Sequence, residues 1–144
     1  MELRTIAPEG ALYQSELELR FRILREPLGH DRDSVRFAFE ADSVHVVAVE
    51  ANTVVGCVLF QPDGQGGGRL YQMAVGQWLQ GQGIGSQLVR FLEAALAEQN
   101  IERIELHARD TAVPFYAKLG YRCVGEPFEE VGLPHRIMEK SLGS

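Results

Sequence analysis

Apolar and polar positions alternate with different periods along the 144-residue chain, and each change of period marks a predicted element. Met1 to Ala7 reads as a short strand, stopped by Pro8-Glu9-Gly10. From Leu12 to about Glu26, the apolar residues Leu17, Phe21 and Leu24 recur at helical spacing. Glu and Arg fill the positions between them, which predicts a helix with its charges outward, ended by Pro27 and Gly29. Phe37 and Phe39 fall in a segment with no clear period. Val44–Glu50 and Val54–Gln61 are rich in β-branched residues, and Asn52-Thr53 between them predicts a hairpin. The glycine-rich stretch from Pro62 to Gly68 reads as a loop between strands, because an apolar strand, Arg69–Val75, resumes at once.

The second half begins with Gly76 to Gly85 and a predicted helix from about Ser86 to Gln99, ended by Asn100. Leu88, Phe91, Leu92, Ala95 and Leu96 line one face of it. Ile101–Ala108 alternates as a strand. Asp110 has the chemistry of an N-cap for a helix running to Leu119, with Gly120 as the C′ residue and Pro114 tolerated in the first turn. Tyr121–Gly125 and Arg136–Ser141 are predicted strands around a loop rich in Pro, Gly and Glu. A strand-helix-strand crossover joins Arg69–Val75 to Ile101–Ala108 and implies local parallel pairing. The expectation is one α/β domain spanning 1–144.

Composition narrows the function. The hydrophobic fraction of 45% is that of an ordinary globular chain, and no run of about 18 apolar residues predicts a membrane span. Met1-Glu2-Leu3-Arg4 lacks the apolar run of a signal peptide, so a cytoplasmic protein is expected. Cys57 and Cys123 both lie in strand patterns and are expected as free thiols; no Cys/His spacing resembles a zinc site, so no metal is expected. A net charge of −6 argues against a nucleic-acid platform and weakly favours cationic substrates. An acidic chain that binds an anion must do so locally, through backbone amides or a few basic side chains.

Gln80-Gly81-Gln82-Gly83-Ile84-Gly85 lies between a predicted strand and an amphipathic helix. Glycines let the backbone approach a bulky anion, and the free amides and dipole of the helix start favour phosphate oxygens. A P-loop would end in Gly-Lys-Ser/Thr, and here Gly85-Ser86 has no lysine. A dinucleotide fingerprint, Gly81-x-Gly83-x-x-Ser86, fails at its last position and begins too far from the strand. The plain alternative is a turn before a helix.

Gln80-x-x-Gly83-x-Gly85, preceded by Leu70-Tyr71-Gln72-Met73-Ala74-Val75, resembles the acyl-CoA signature of the GNAT N-acetyltransferase superfamily. Downstream, Ala112-x-x-Phe115-Tyr116-x-Lys118-x-Gly120-Tyr121 resembles the second motif of that family, at the family's usual separation. The element order matches from Met1 to Leu142, and the tail from Glu126-Pro127-Phe128 to Gly132-Leu133-Pro134-His135 resembles an ElaA/YjcF-like bacterial subgroup. The resemblance implies a central mixed, mostly antiparallel sheet of about seven strands flanked by helices, and acetyl-CoA as acetyl donor.

The resemblance also implies roles. The amides of Gln80, Gly81, Gln82, Gly83, Ile84, Gly85 and Ser86 would hold the pyrophosphate. Met73, Ala74 and Val75 would pair with the pantetheine arm, and Phe115 would contribute to the cofactor site. Tyr116 is the candidate acid for the departing thiolate; the alternative is an aromatic packed under its helix. His107 and His135 are candidates for the base or for substrate contact, against ordinary hydrogen-bonded histidines, and His45 reads as structural. Glu129 and Glu130 read as a solvated loop that could border the acceptor. Arg109 stands where family members often carry an asparagine, and either meets CoA phosphates or faces solvent. Gln72 stands where members often carry a charge, which leaves the acceptor side open.

The leading expectation is transfer of acetyl from acetyl-CoA to a primary amine of a small molecule or peptide, in a chain that can form the homodimers common in the family. The rivals are a non-catalytic CoA-binding regulator with this fold and a dinucleotide-binding fragment.

Overall fold

The computed structural model describes residues 1–142. Seven strands form one sheet in the order β1-β2-β3-β4-β5-β7-β6. The strands are β1 (Glu2–Ile6), β2 (Val44–Glu50), β3 (Thr53–Pro62), β4 (Gly67–Val75), β5 (Arg103–Arg109), β6 (Arg122–Glu130) and β7 (Leu133–Ser141). Every neighbouring pair is antiparallel except β4 with β5, which the crossover makes parallel.

That crossover is α2 (Ile84–Glu98), whose Ile84, Leu88, Val89, Leu92 and Leu96 are buried. They pack against Val46, Val58, Phe60, Leu70, Ile104, Leu106 and Met138, one side chain in two along the strands. On the opposite face of the sheet, α1 (Gly10–Arg20) covers β3 and β4, and Leu19 meets Val47, Cys57, Leu59 and Ala74. The short α3 (Val113–Lys118) packs beside β5 and β6.

Several boundaries differ from the sequence expectations. The first hairpin turns on Ala51-Asn52, both with positive φ (50° and 62°), and Thr53 already belongs to β3. Such a pair is what a tight hairpin between right-twisted strands demands. The first helix stays α-helical only to Arg20, widens into a π-helical turn at Phe21–Arg25 and ends in a 3₁₀ turn before Gly29. Its charged face is not all outward, since Tyr13, Glu16 and Arg20 are buried. Asp110 does not cap α3 with its side chain; it starts a 3₁₀ turn, and α3 begins at Val113 with Pro114 in its first turn. The tail read as a loop is strand: β6 runs on to Glu130, and Val131-Gly132 (φ 48° and 75°) turn it into β7. A bulge between Val124 and Phe128 absorbs the proline and glycine that suggested a loop.

Candidate functional site

Parallel pairing of β4 with β5 lasts for only four residue pairs, from Gly67↔Arg103 to Leu70↔Leu106. Beyond them the strands separate, and among the described residues β4 from Tyr71 to Val75 has no partner on its β5 side. A bulge accompanies the separation. Cys57 pairs with Ala74 and Leu59 with Tyr71, so Gln72 and Met73 together oppose Val58. Gln72 takes φ +53°, a left-handed conformation uncommon outside glycine. Cys57 Sγ donates to the Gln72 carbonyl at 3.3 Å, and Arg20 Nε donates to Gln72 Oε1 at 3.4 Å. The bulge is thus held from beneath by buried side chains.

The open edge of β4 leads into the glycine segment. The Gln80 amide group donates to the Val75 carbonyl at 3.0 Å and that of Gln82 to the Trp78 carbonyl at 3.2 Å, which ties the segment to the strand end. Gly81 and Gly83 have φ +83° and +82°, and a β-carbon on either would meet nothing within 4 Å. Their outer side is therefore open space. The first helical bond of α2 runs from Gln87 N to Gly83 O. The amides of Gly83, Ile84, Gly85 and Ser86 therefore have no helical partner, and no acidic residue lies in the first turn. Ile84 itself is a core side chain, so only its amide serves such a site. Gly85 is small for a packing reason: a β-carbon there would lie 3.2 Å from Phe115 Cζ. α3 is thereby drawn against the start of α2.

That contact places Tyr116 beside the junction. Its ring is buried and packs edge-on against Phe115 and Tyr121, with centroids 4.9 and 5.8 Å away. Burial alone pushes its phenol above the ordinary value near 10, so it stays protonated through neutral pH.

The other face of the opening carries the histidines. Leu106 and Ala108 are buried toward α2, so His107 between them projects to the opposite face. His107 Nδ1 donates to Glu130 Oε1 at 2.9 Å, and His135 Nε2 lies 3.7 Å from Glu130 Oε2. Phe128 stands against both imidazoles, with centroids 5.3 and 5.8 Å away. Burial alone would raise the Glu130 carboxyl. The His107 hydrogen bond and the nearby charges of His107, Arg69 and His135 outweigh it and hold the group below the usual carboxylate range. The sequence named both histidines but treated Glu130 as part of a solvated loop; the Val131-Gly132 turn was the signal that it closes a strand.

Residues 25–142 match the family model described as the acetyltransferase (GNAT) domain. The chain belongs to the GNAT acetyltransferase family. It is 30% identical over 149 residues to the uncharacterized N-acetyltransferase YitI of Bacillus subtilis, an alignment covering 99% of this chain and 97% of that protein. It is 33% identical over 102 residues to the uncharacterized N-acetyltransferase YjcF of the same organism, covering 70% and 72%. Escherichia coli ElaA superposes with a TM-score of 0.85 over 97% of this chain and 99% of that one, at 18% identity. An aminoglycoside 6'-N-acetyltransferase complexed with coenzyme A superposes with a TM-score of 0.83 over 100% and 98%, at 20% identity. The sheet flanked by helices is accordingly the GNAT fold.

Met73 to Val75 lie on the parted stretch of β4 and Gln80 to Ser86 on the glycine segment that follows it. Arg109 ends β5, is exposed, and has no ion pair among the described residues. His45 is buried beneath α1, away from His107 and His135. Cys57 and Cys123 are both free thiols. A groove of about 690 Å³ lies between α1 and residues 32–41, lined by Tyr13, Glu18, Phe21, Arg32, Phe37 and Glu40. No residue from Gln72 to Ser86 lines it, so it is separate from the GNAT motif. Glu16, Glu40 and His45 offer ligand atoms within 4.8 Å of one another, but Arg20 donates to both carboxylates and makes this an ion-paired core. Among the described residues no helix is long and apolar enough to cross a membrane.

Proposed function

We propose that this protein transfers an acetyl group from acetyl-CoA to a primary amine by direct attack within a ternary complex. The observation that carries the reading is the unpaired edge of β4 leading straight into the open amides of Gly83 to Ser86. An extended amide-bearing arm fits the edge as an added strand would, and a diphosphate fits the helix entrance. Gly81 and Gly83 leave room for that anion, since their missing β-carbons face open space.

The amine nitrogen attacks the thioester carbonyl carbon, and the carbon–sulfur bond breaks. A backbone amide near the Gln72 bulge would polarise the carbonyl oxygen as negative charge develops on it. Tyr116, kept protonated by burial, would give its proton to the departing thiolate. The amine must lose a proton to attack, and the histidines on the opposite face supply groups able to take it. Acid and base on opposite faces of one opening suit a reaction in which the nucleophile enters from one side and the leaving group exits toward the other.

Calorimetry with acetyl-CoA and CoA, followed by thiol release in the presence of an aminoglycoside, a polyamine and a lysine peptide, tests the proposal. Acetyl-CoA affinity with amine-dependent thiol release is expected. Affinity without release on any amine would leave a CoA-binding regulator as the better description, and absent affinity would remove both.

A further inference from the structure

The hydrogen bonds around Glu130 fix more than proximity. An ionised carboxylate only accepts, so the 2.9 Å contact requires the proton of neutral His107 to sit on Nδ1. The lone pair is then on Nε2, which makes no hydrogen bond to the described residues, on a side chain about 20% exposed. His135 is arranged differently. Its Nδ1 donates to the Leu133 carbonyl at 2.9 Å, and its Nε2 faces Glu130 Oε2 from a nearly buried ring. Both rings carry the Nδ1 proton, but only the His107 lone pair reaches solvent; the His135 Nε2, 3.7 Å from Glu130 and too far to hydrogen-bond, sits on a ring sealed from it.

We infer that His107 Nε2 is the general base for the acceptor amine and that Glu130 is its positioning residue. The inference rests on the transferase reading above. In the step, an N–H bond of the acceptor ammonium breaks, its proton goes to Nε2, and the nitrogen keeps the electron pair with which it attacks. The Nδ1 proton stays in its bond to Glu130, whose charge offsets the imidazolium as it forms. Position favours His107 as well. It is the first residue of β5 beyond the last pair with β4, at the mouth of the opening. Facing the group are Glu130 from β6, His135 from β7, Arg69 from β4 and Arg25 from the turn after α1, with Glu105 and Arg109 on β5 itself. Of these, only Glu130 holds an imidazole nitrogen of His107.

Long-range ¹⁵N correlation spectra of the full chain report the tautomer without any acceptor. The Nδ1–H form of His107 is expected; the Nε2–H form would overturn the inference. For an amine of the panel that is turned over, His107→Gln should lower kcat by about 10²- to 10⁴-fold, the usual range for a lost acid–base group, with the KM for acetyl-CoA unchanged. The ascending limb of the kcat/KM pH profile should vanish. Glu130→Gln should lower kcat by about 10- to 100-fold, and Glu130→Asp should recover part of that loss. His107→Gln at the wild-type rate would overturn the base while leaving the transferase standing. Acetyl-CoA binding with no turnover of any amine would overturn the transferase reading and this inference together.

Discussion

Arg20 Nη2 lies 2.7 Å from Glu40 Oε2 in the interior beneath α1, with the Arg20 side chain fully sealed from solvent. The same guanidinium donates to Glu16 Oε2 at 2.8 Å and to the Val35 carbonyl, and Tyr13 Oη donates to Glu40 Oε1 at 2.6 Å. His45 completes the set, with Nδ1 against Glu16 and Nε2 against the Glu40 carbonyl. With His45 protonated, two cations balance two anions. Glu40→Ala leaves a buried guanidinium short of an anion and should cost about 3–5 kcal/mol in urea unfolding. The double variant Arg20→Met, Glu40→Leu should cost less than the sum of the single changes, because no charge is stranded. Additive losses would refute the coupling.

His45 gives this cluster a pH dependence. Burial opposes its charge, but the hydrogen bond and charge of Glu16, joined by Glu40, outweigh burial and raise it above the usual histidine value. A group that holds its proton more tightly when folded stabilises fully below its unfolded value near 6.5. That contribution fades as pH rises through the higher folded value. As pH rises above about 6.5, the wild type should therefore lose unfolding free energy that His45→Gln does not lose. Parallel stability curves for the two proteins would contradict this.

Much of the architecture was legible because it rests on local pattern. The apolar stripe of α2 buried the face that its period indicated, the β-branched runs became β2 and β3, buried on both faces, and the strand-helix-strand crossover made β4 and β5 parallel. Glu16 and Arg20 escaped that logic, since an i,i+4 ion pair looks the same on a solvated face as beneath a sheet. What brings them inside is Glu40 and His45, partners tens of residues away. Glu130 was missed for a related reason: its neighbours Gly125 and Pro127 suggested a loop, and a bulge lets a strand carry both. The glycine segment suggested an anion site from sequence because such chemistry would lie in its backbone, whereas the Gln72 bulge depends on pairing with β3.

Gly83 has a left-handed φ and an open outer face, so side chains there meet strain but no clash. Gly83→Asn, a residue that tolerates this conformation, should fold and weaken acetyl-CoA binding modestly. Gly83→Glu adds a negative charge where a diphosphate is proposed and should abolish measurable binding. Calorimetry at near-neutral pH checks both, and equal affinity for the two variants would contradict the placement of the diphosphate.

Among the described residues no side chain hydrogen-bonds the Tyr116 phenol, so loss of the hydroxyl strands no partner. Tyr116→Phe should retain folding and acetyl-CoA affinity while kcat falls by about 10²-fold or more, as for removal of an acid–base group. Wild-type turnover in that variant would assign the ring to packing alone.

The four-pair seam between β4 and β5 makes the sheet two panels sharing a short hinge. Because the amino-terminal panel contributes the parted strand and the carboxyl-terminal panel its opposite bank, any molecule lodged between them acts as a splint. Amide protons of β5 and β7, far from the glycine segment in sequence, should then exchange more slowly once the gap is filled, as if the missing rungs had been restored.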